Sequence, residues 1–398
     1  MKLYFKLALR NLLAAGLRTW LNVIVLSFAF VAIIWSQGLY RGMSRHAAQA
    51  MTEVELGGGQ YWHENFDPYN PLTLQEAHGP VPEPLAQLIQ EGKATAILIV
   101  QGTLYPQGRF FPVLIKGIDP RQKILLFPSR YLELSRNLEL SQSGEIPALI
   151  GSRMASTCGL KIGDTVTLRW RDKRGAFDAR NLTIVHIMKT SVQSVDQGQV
   201  WISLDLLREL TGLEGEATVI TLAKDVNFAG AVPGWSYKSL DFLLRDIDEV
   251  IRGKTIGASI IYFVLLSLAM LAIFDTQVLS IWRRRKEVGT LMALGMTRAQ
   301  VIKLFTIEGA MHSVLAAVVA ALYGLPLLVF FARKGLGMPK AVDSYGFALD
   351  ERIFPTYSIG LIMGTVIIIM VITTMVSFLP TRRIAKLKPT EALRGRIT

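Results

Sequence analysis

The sequence has a single cysteine, Cys158, so one chain cannot form an internal disulfide bond. Its five histidines are scattered, and no His-x-x-x-His or Cys-x-x-Cys pair offers the spacing of a metal site. Charge is also scarce: 19% of the 398 residues are charged, against about 25% in an average soluble protein. The single cysteine excludes a disulfide scaffold. The low charge, together with a hydrophobic content of 51%, excludes a disordered chain and favours a membrane protein.

Catalytic motifs are missing as well. Residues 252–255 resemble the end of a phosphate-binding loop, but Asp248 stands where that loop requires a glycine. The Gly-x-Ser-x-Gly motif of serine hydrolases is absent from the sequence. We therefore expect that the chain is not an enzyme and has no catalytic, metal-binding or cofactor-binding residues. No role is predicted for Cys158.

Four stretches are long and apolar enough to cross a bilayer as helices, which takes about 20 residues each. None of them contains lysine, arginine or glutamate. Asp275 is their only acidic residue, and its place near a basic flank favours a structural role. The stretches cover residues 19–40, 256–279, 309–332 and 357–379.

The basic residues predict the orientation of these spans. The two termini and the loop after the second span hold 16 basic residues and three acidic ones. Short segments rich in lysine and arginine remain in the cytoplasm. Charge at the span ends also argues against nucleic-acid binding. The predicted order is a cytoplasmic amphipathic helix (1–18), first span (19–40), extracytoplasmic domain (41–255), second span (256–279), cytoplasmic loop (280–308), third span (309–332), external loop (333–356), fourth span (357–379) and cytoplasmic tail (380–398).

The segment between the first two spans predicts a large α/β domain in two lobes. Its turn-rich start, from Gly57 to Pro84, suits a tethering loop. A helical pattern at 238–252 runs directly into the second span. The fold class is thus a membrane protein with four transmembrane helices and an α/β extracytoplasmic domain inserted between the first and second. Strands are expected at 96–104, 111–118, 165–170, 181–188, 198–203 and 217–223, and helices at 84–90, 152–158 and 204–211.

Small residues on two spans predict close helix packing, between spans or against a second subunit. On the fourth span they are Gly360 and Gly364. On the third span the spaced pairs are Ala317 with Ala321 and Ala320 with Gly324.

Residues 283–309, RRRKEVGTLMALGMTRAQVIKLFTIEG, predict an amphipathic helical hairpin at the inner membrane face. Its small residues would let another protein pack closely, as in a cytoplasmic docking element. The pattern resembles the coupling loop of ABC transporter permeases of the MacB, FtsX and LolC/LolE superfamily. Matching positions are Glu287, Val288, Gly289, Ala293, Leu294, Gly295 and Glu308, whereas Met292 replaces the usual arginine.

The resemblance extends along most of the chain. Residues 8–24 resemble the family's opening segment, and residues 380–394 resemble its closing motif. Residues 117–120 and 149–168 resemble its periplasmic core domain. Several alanines replace expected glycines in the third span.

The resemblance implies a dimer, with itself or a paralogue, in the bacterial inner membrane with both termini cytoplasmic. Separate ATPase subunits, which carry ATP and magnesium, would bind the loop. The implied coupling residues are Glu287, Gly289, Ala293, Leu294, Gly295 and Arg298. ATP-driven closure would then move the second helix and the external domain.

Three functions fit this family. The first is extraction of lipoprotein or another amphiphile from the outer leaflet of the inner membrane, with membrane lipid, a lipoprotein cargo or a chaperone as further partners. The second is MacB-like efflux of peptides or toxins with an outer-membrane partner. The third is FtsX-like regulation of an external hydrolase. The sequence names no cargo.

Overall fold

The computed structural model describes residues 16–136, 144–226, 228, 230–337 and 352–382. Most of the predicted amphipathic helix and most of the closing motif lie outside these residues. The described residues divide into two compact units. The first, here called the helical unit, contains residues 16–43, 250–337 and 352–382. The second, the sheet unit, contains the described residues between 44 and 249.

Four helices are long and apolar enough to cross a membrane, with mean hydropathies between 2.0 and 2.6 in the described residues. The third begins at Arg298, eleven residues before the predicted span, because Thr297 and Gln300 form a capping box there. The second starts at Arg245 rather than 238, since residues 235–239 form a strand. The helices are α1 (Leu17–Met51), α8 (Arg245–Arg283), α10 (Arg298–Lys334) and α11 (Ile359–Thr381).

The apolar faces of the four helices meet in one core within the helical unit. Phe30 of α1, Ile273 of α8, Ala316 of α10 and Ile369 of α11 are all buried in this core. The opposite faces of the helices expose large apolar side chains, which a lipid environment or a second subunit would cover.

The sheet unit is built on a nine-stranded mixed sheet, in the order β11-β1-β10-β3-β4-β8-β5-β7-β6. The long strand β3 also pairs with β6, so six strands close on themselves. The strands are β1 (Gly59–His63), β2 (Gly79–Pro80), β3 (Ala94–Leu104), β4 (Phe111–Ile118), β5 (Ile146–Gly151), β6 (Thr165–Arg171), β7 (Phe177–Met188), β8 (Gln199–Ser203), β9 (Glu216–Ala217), β10 (Val219–Leu222) and β11 (Trp235–Ser239), with β12 (Leu336–Gly337) and β13 (Arg352–Ile353) in the helical unit.

Short helices cover both faces of this sheet. Alternate residues of β3 serve the two sides: Leu98 packs in one core and Ile97 in the other. Helix α6 contributes Leu207 to the first core, and α3 contributes Leu132 to the second. These helices are α2 (Glu83–Gln90), α3 (Arg130–Arg136), α4 (Ser152–Cys158), α5 (Gln193–Gly198), α6 (Leu204–Thr211) and α7 (Leu240–Leu243).

The single sheet differs from the expected two lobes. Strand β3 pairs with β10 at one end and with β6 at the other, so no boundary divides the sheet. Residues 57–84 also differ from a plain tether, because β1 lies within them and joins β10 to β11. Glycines precede and begin this five-residue strand, which hides its alternation in the sequence.

Candidate functional site

The segment after α8 folds as the predicted helical hairpin. Arg284 leaves the helical conformation, and helix α9 (Arg285–Ala293) follows at once. The chain then turns at Gly295, whose φ of +97° is a conformation that glycine adopts without strain. Thr297 caps α10: the Gln300 amide N–H donates to its hydroxyl at 3.3 Å, and the Thr297 amide N–H donates to the Gln300 side chain at 2.8 Å.

A small hydrophobic core holds the two arms of the hairpin together. Val288 of α9 packs against Val301 and Phe305 of α10, and all three are buried. Ile281 at the end of α8 belongs to the same cluster. The hairpin is therefore a folded element with its own core.

Arg284 joins the base of α9 to α10. Its Nη1 donates to both carboxylate oxygens of Glu308 at 2.9 Å, and its Nε donates to Glu287 at 2.6 Å. The guanidinium also lies 5.0 Å from the centre of the Phe305 ring. Burial would lower the pKa of Arg284, but Glu308 and Glu287 raise it above its ordinary value. The arginine is thus a permanent cation fixed by one buried carboxylate and one exposed one.

Five of the six predicted coupling residues lie on the surface of this hairpin. Leu294 is 79% exposed at its turn, next to the exposed Gly295. Gly289 is instead buried. The exposed members are Glu287, Ala293, Leu294, Gly295 and Arg298. Their coupling role stays a prediction, but the structure gives them a common element.

The sequence did not identify Arg284, which donates hydrogen bonds to both Glu287 and Glu308. It is one of three consecutive arginines, and its partner Glu308 lies 24 positions away. Arg284 is the one of the three at the break between α8 and α9, and this break directs it toward α10. A helix break within the basic run is the signal that could have identified it.

The predicted packing residues divide between buried and exposed positions. Gly324 of α10 lies against α1, because a Cβ added there would be 2.6 Å from a methyl group of Val31. Ala320 is buried, Ala317 is half-buried and Ala321 is exposed. No described atom lies within 4 Å of a Cβ placed at Gly360 or Gly364, so their predicted contact would need a second subunit.

Gly309 forms a close contact that the sequence analysis missed. A Cβ at this position of α10 would collide with the side chain of Ser377 on α11. The sequence signal for this contact is the small-xxx-small pair of Gly309 with Ser313, which was not singled out. The sequence also left the roles of Asp275 and Cys158 undetermined. Asp275 is exposed on α8, and Cys158 is buried, which raises the pKa of its thiol.

No group of three or more potential metal ligands occurs in the described part of the chain. The candidate site is the exposed surface of the hairpin, and its role as a docking element stays a prediction.

Residues 259–389 match the family model of the FtsX-like permease C-terminal domain. This region includes the whole hairpin and helices α10 and α11. The match covers α8 from Ser259 onward and ends beyond Arg382, the last described residue. It is the part of the chain in which the hairpin was predicted to dock another protein.

Curated relatives are permeases of the same kind. The chain is 24% identical to the lipoprotein-releasing system transmembrane protein LolC of Neisseria meningitidis serogroup B, over 63% of this chain and 65% of that protein. It is 24% identical to an uncharacterized ABC transporter permease of Methanocaldococcus jannaschii, over 59% of this chain and 58% of that protein. The chain thus spans less than two thirds of the length of these relatives.

A shorter match links the chain to a probable export ATP-binding/permease protein MacB of Pseudomonas entomophila, with 24% identity over 39% of this chain and 21% of that protein. Among solved structures, the extracellular domain of the transporter YknZ from Gram-positive bacteria covers 42% of this chain and 84% of that chain, with 12% identity and a TM-score of 0.26. The family model and the sequence relatives together confirm the predicted resemblance: the chain contains an FtsX-like permease domain and is similar to permeases of the superfamily that includes MacB, FtsX and LolC.

Proposed function

We propose that this chain is the membrane subunit of an ABC transporter that extracts lipoprotein or another amphiphile from the outer leaflet of the inner membrane. A separate ATPase would supply the energy by docking on the hairpin at residues 284–308. The sheet unit, on the outer side, would handle the substrate.

One observation supports the docking part of the proposal: the base of the hairpin is hydrogen-bonded to α10, and its tip is exposed. Arg284 fixes its base to α10 through two hydrogen bonds to Glu308. Leu294 extends from its turn with 79% of its surface exposed. Because the base is tied to α10, a force applied at the tip would reach the spans rather than bend the loop.

The extent of the sequence matches supports extraction over efflux. LolC relatives match 63% and 72% of this chain, whereas MacB relatives match 39%. The LolC matches therefore include part of the sheet unit, which would contact the substrate. MacB-like efflux is the second candidate, since MacB proteins also match significantly.

Photocrosslinking from α1 separates these functions. A photoreactive amino acid at Phe28, which is 61% exposed, would report what touches the span in intact cells. Extraction predicts adducts with acylated proteins whose yield depends on ATP hydrolysis. Adducts with a periplasmic adaptor protein instead would favour efflux and contradict the proposal. An active ATPase complex without either adduct would favour a regulator of an external hydrolase.

A further inference from the structure

The sheet unit contains a cavity of about 540 Å³ that neither the family match nor the proposed docking involves. Ile97, Ile99 and Val219 form its wall on one face of the sheet. Trp62, Phe242 and Met51 also line the cavity. The lining thus comes from both ends of the segment between the first two spans, and most of it is apolar.

The volume and the mostly apolar lining of this cavity suit an apolar ligand. A dry cavity of about 150 Å³ already binds benzene, and ligand pockets usually measure about 300–1,000 Å³. A mostly apolar space of this size therefore suits a long apolar chain.

The charged side chains on the wall are satisfied by one another. Lys116 donates to Glu55 at 2.5 Å, and Gln199 and Ser194 donate to the same carboxylate at 3.0 and 3.2 Å. The Lys116 ammonium also lies 5.1 Å from the centre of the Trp201 ring. Because this carboxylate already accepts three hydrogen bonds, it does not require a polar ligand, and the apolar wall decides what enters.

Two cations lie beside Phe242, a lining residue. The Lys238 ammonium and the Arg245 guanidinium each lie 5.0 Å from the centre of its ring. The neighbouring Asp246 accepts a hydrogen bond from the Tyr69 hydroxyl and keeps its negative charge. An anionic head group at this edge of the cavity would pair with Lys238 and Arg245.

We propose that this cavity binds one acyl chain of an anionic lipid, with its head group at Lys238 and Arg245. This inference goes beyond the proposed function, because it assigns a resident lipid to the sheet unit and requires neither an ATPase nor a cargo protein. The lipid would hold together elements from both ends of that unit.

Palmitate with a photoreactive diazirine near its methyl end provides the test. The full-length protein is placed in nanodiscs without ATPase, irradiated with the probe, and digested for mass spectrometry. The proposal predicts adducts on peptides that contain Ile97, Ile99 or Val219. Adducts confined to α1, α8, α10 and α11 would overturn it, because the probe would then report only lipid around the spans.

Substitutions that fill the cavity provide a second test, because they should lower the yield of these adducts. Ile99→Trp fills the cavity and should reduce these adducts about tenfold, whereas Ile162→Trp, at a 60% exposed position, should leave them unchanged. Val219→Phe serves as a second filling variant if Ile99→Trp lowers the melting temperature. Unchanged labelling in a folded filling variant would overturn the proposal.

A comparison of an anionic and a neutral probe tests whether the head group lies at Lys238 and Arg245. Lys238→Glu with Arg245→Glu should weaken labelling by the palmitate probe but not by the matching neutral alcohol. Equal loss of both probes, or loss of neither, would contradict an anionic head group at these residues. Since no ATP is present, failure here is distinct from failure of the transport proposal.

Discussion

At the scale of single residues, Arg284 connects the hairpin to α10. It satisfies a buried carboxylate, an exposed carboxylate and an aromatic ring at one break between helices. When one member of a buried ion pair is removed, the remaining buried charge has no partner. This loss destabilises the fold by more than the intact pair stabilises it. The position therefore connects hairpin geometry to stability.

Arg284→Ala should uncouple ATP hydrolysis from transport and lower the melting temperature, because Glu308 would lose both of its hydrogen bonds from Arg284. Losses of this kind reach about 3–5 kcal/mol when the pair is fully buried, and the half-buried Arg284 should give less. Arg285→Ala is the matched control, since Arg285 donates to the Trp282 carbonyl instead. Equal effects of both substitutions on ATPase activity and melting would contradict the role of Arg284.

Gly309 provides a second prediction at this scale. Gly309→Ala places a methyl group against Ser377 and should cost about 1–3 kcal/mol by overpacking α10 against α11. Gly257→Ala adds the same methyl group on α8, at a position where no atom of another described element lies within 4 Å. Thermal unfolding in detergent should therefore show a clear loss for the first variant and none for the second. A stable Gly309→Ala protein would mean that the two helices are not packed this closely.

At the scale of elements, the hairpin predicts where an ATPase docks. Leu294→Asp places a charge on its apolar tip and should weaken pull-down of the ATPase at least about tenfold, which corresponds to about 1.4 kcal/mol. Ile162→Asp is the control, because Ile162 is also an exposed aliphatic residue but lies in the sheet unit. Undiminished ATPase binding by Leu294→Asp would remove the tip from the docking site.

Substitutions at Glu287 need a different interpretation from those at Leu294. Glu287 is exposed, but it also accepts a hydrogen bond from Arg284 at 2.6 Å. A change to lysine would repel Arg284 as well as alter the docking surface. Comparison with Leu294→Asp separates these two effects.

Regular periodicity made most elements predictable from the sequence. Strands β4 and β8 and helix α6 lie at or within one residue of their predicted ranges, because apolar runs or helical spacing mark them. Strand β5 was not assigned, because its short apolar run shows no alternation. Of strand β11, Lys238 and Ser239 were included in the predicted helix at 238–252 and residues 235–237 were not assigned, since polar residues obscure its period of two.

The functional residues were predictable only where a linear motif existed. The hairpin turn at Gly295 follows from its glycine and from the capping Thr297. The Arg284 pair with Glu308 depends on the path of the chain, which no spacing rule fixes over 24 positions. The cavity has the same limitation, because Met51 and Phe242 are separated by most of the sheet unit.

At the scale of the whole molecule, Gly360 and Gly364 of α11 predict a second subunit, because no other described element approaches a Cβ placed at either position. Gly364→Cys should form a disulfide-linked dimer on mild oxidation in membranes, because small residues allow two helices to approach closely. Ser377→Cys is the control, since Ser377 is fully buried within the chain. Native Cys158 is buried and should not contribute. Dimers from Ser377→Cys but not from Gly364→Cys would place the subunit contact elsewhere.

The proposed function requires the sheet unit and the hairpin to lie on opposite sides of the membrane. A membrane-impermeant maleimide tests it on Phe177→Cys and Leu294→Cys, two exposed positions, in a Cys158→Ser background. With the outer membrane permeabilised and the inner membrane intact, Phe177→Cys should be labelled at once. Leu294→Cys should be labelled only after the inner membrane is opened. Labelling of Leu294→Cys before that opening, or of Phe177→Cys only after it, would contradict the account.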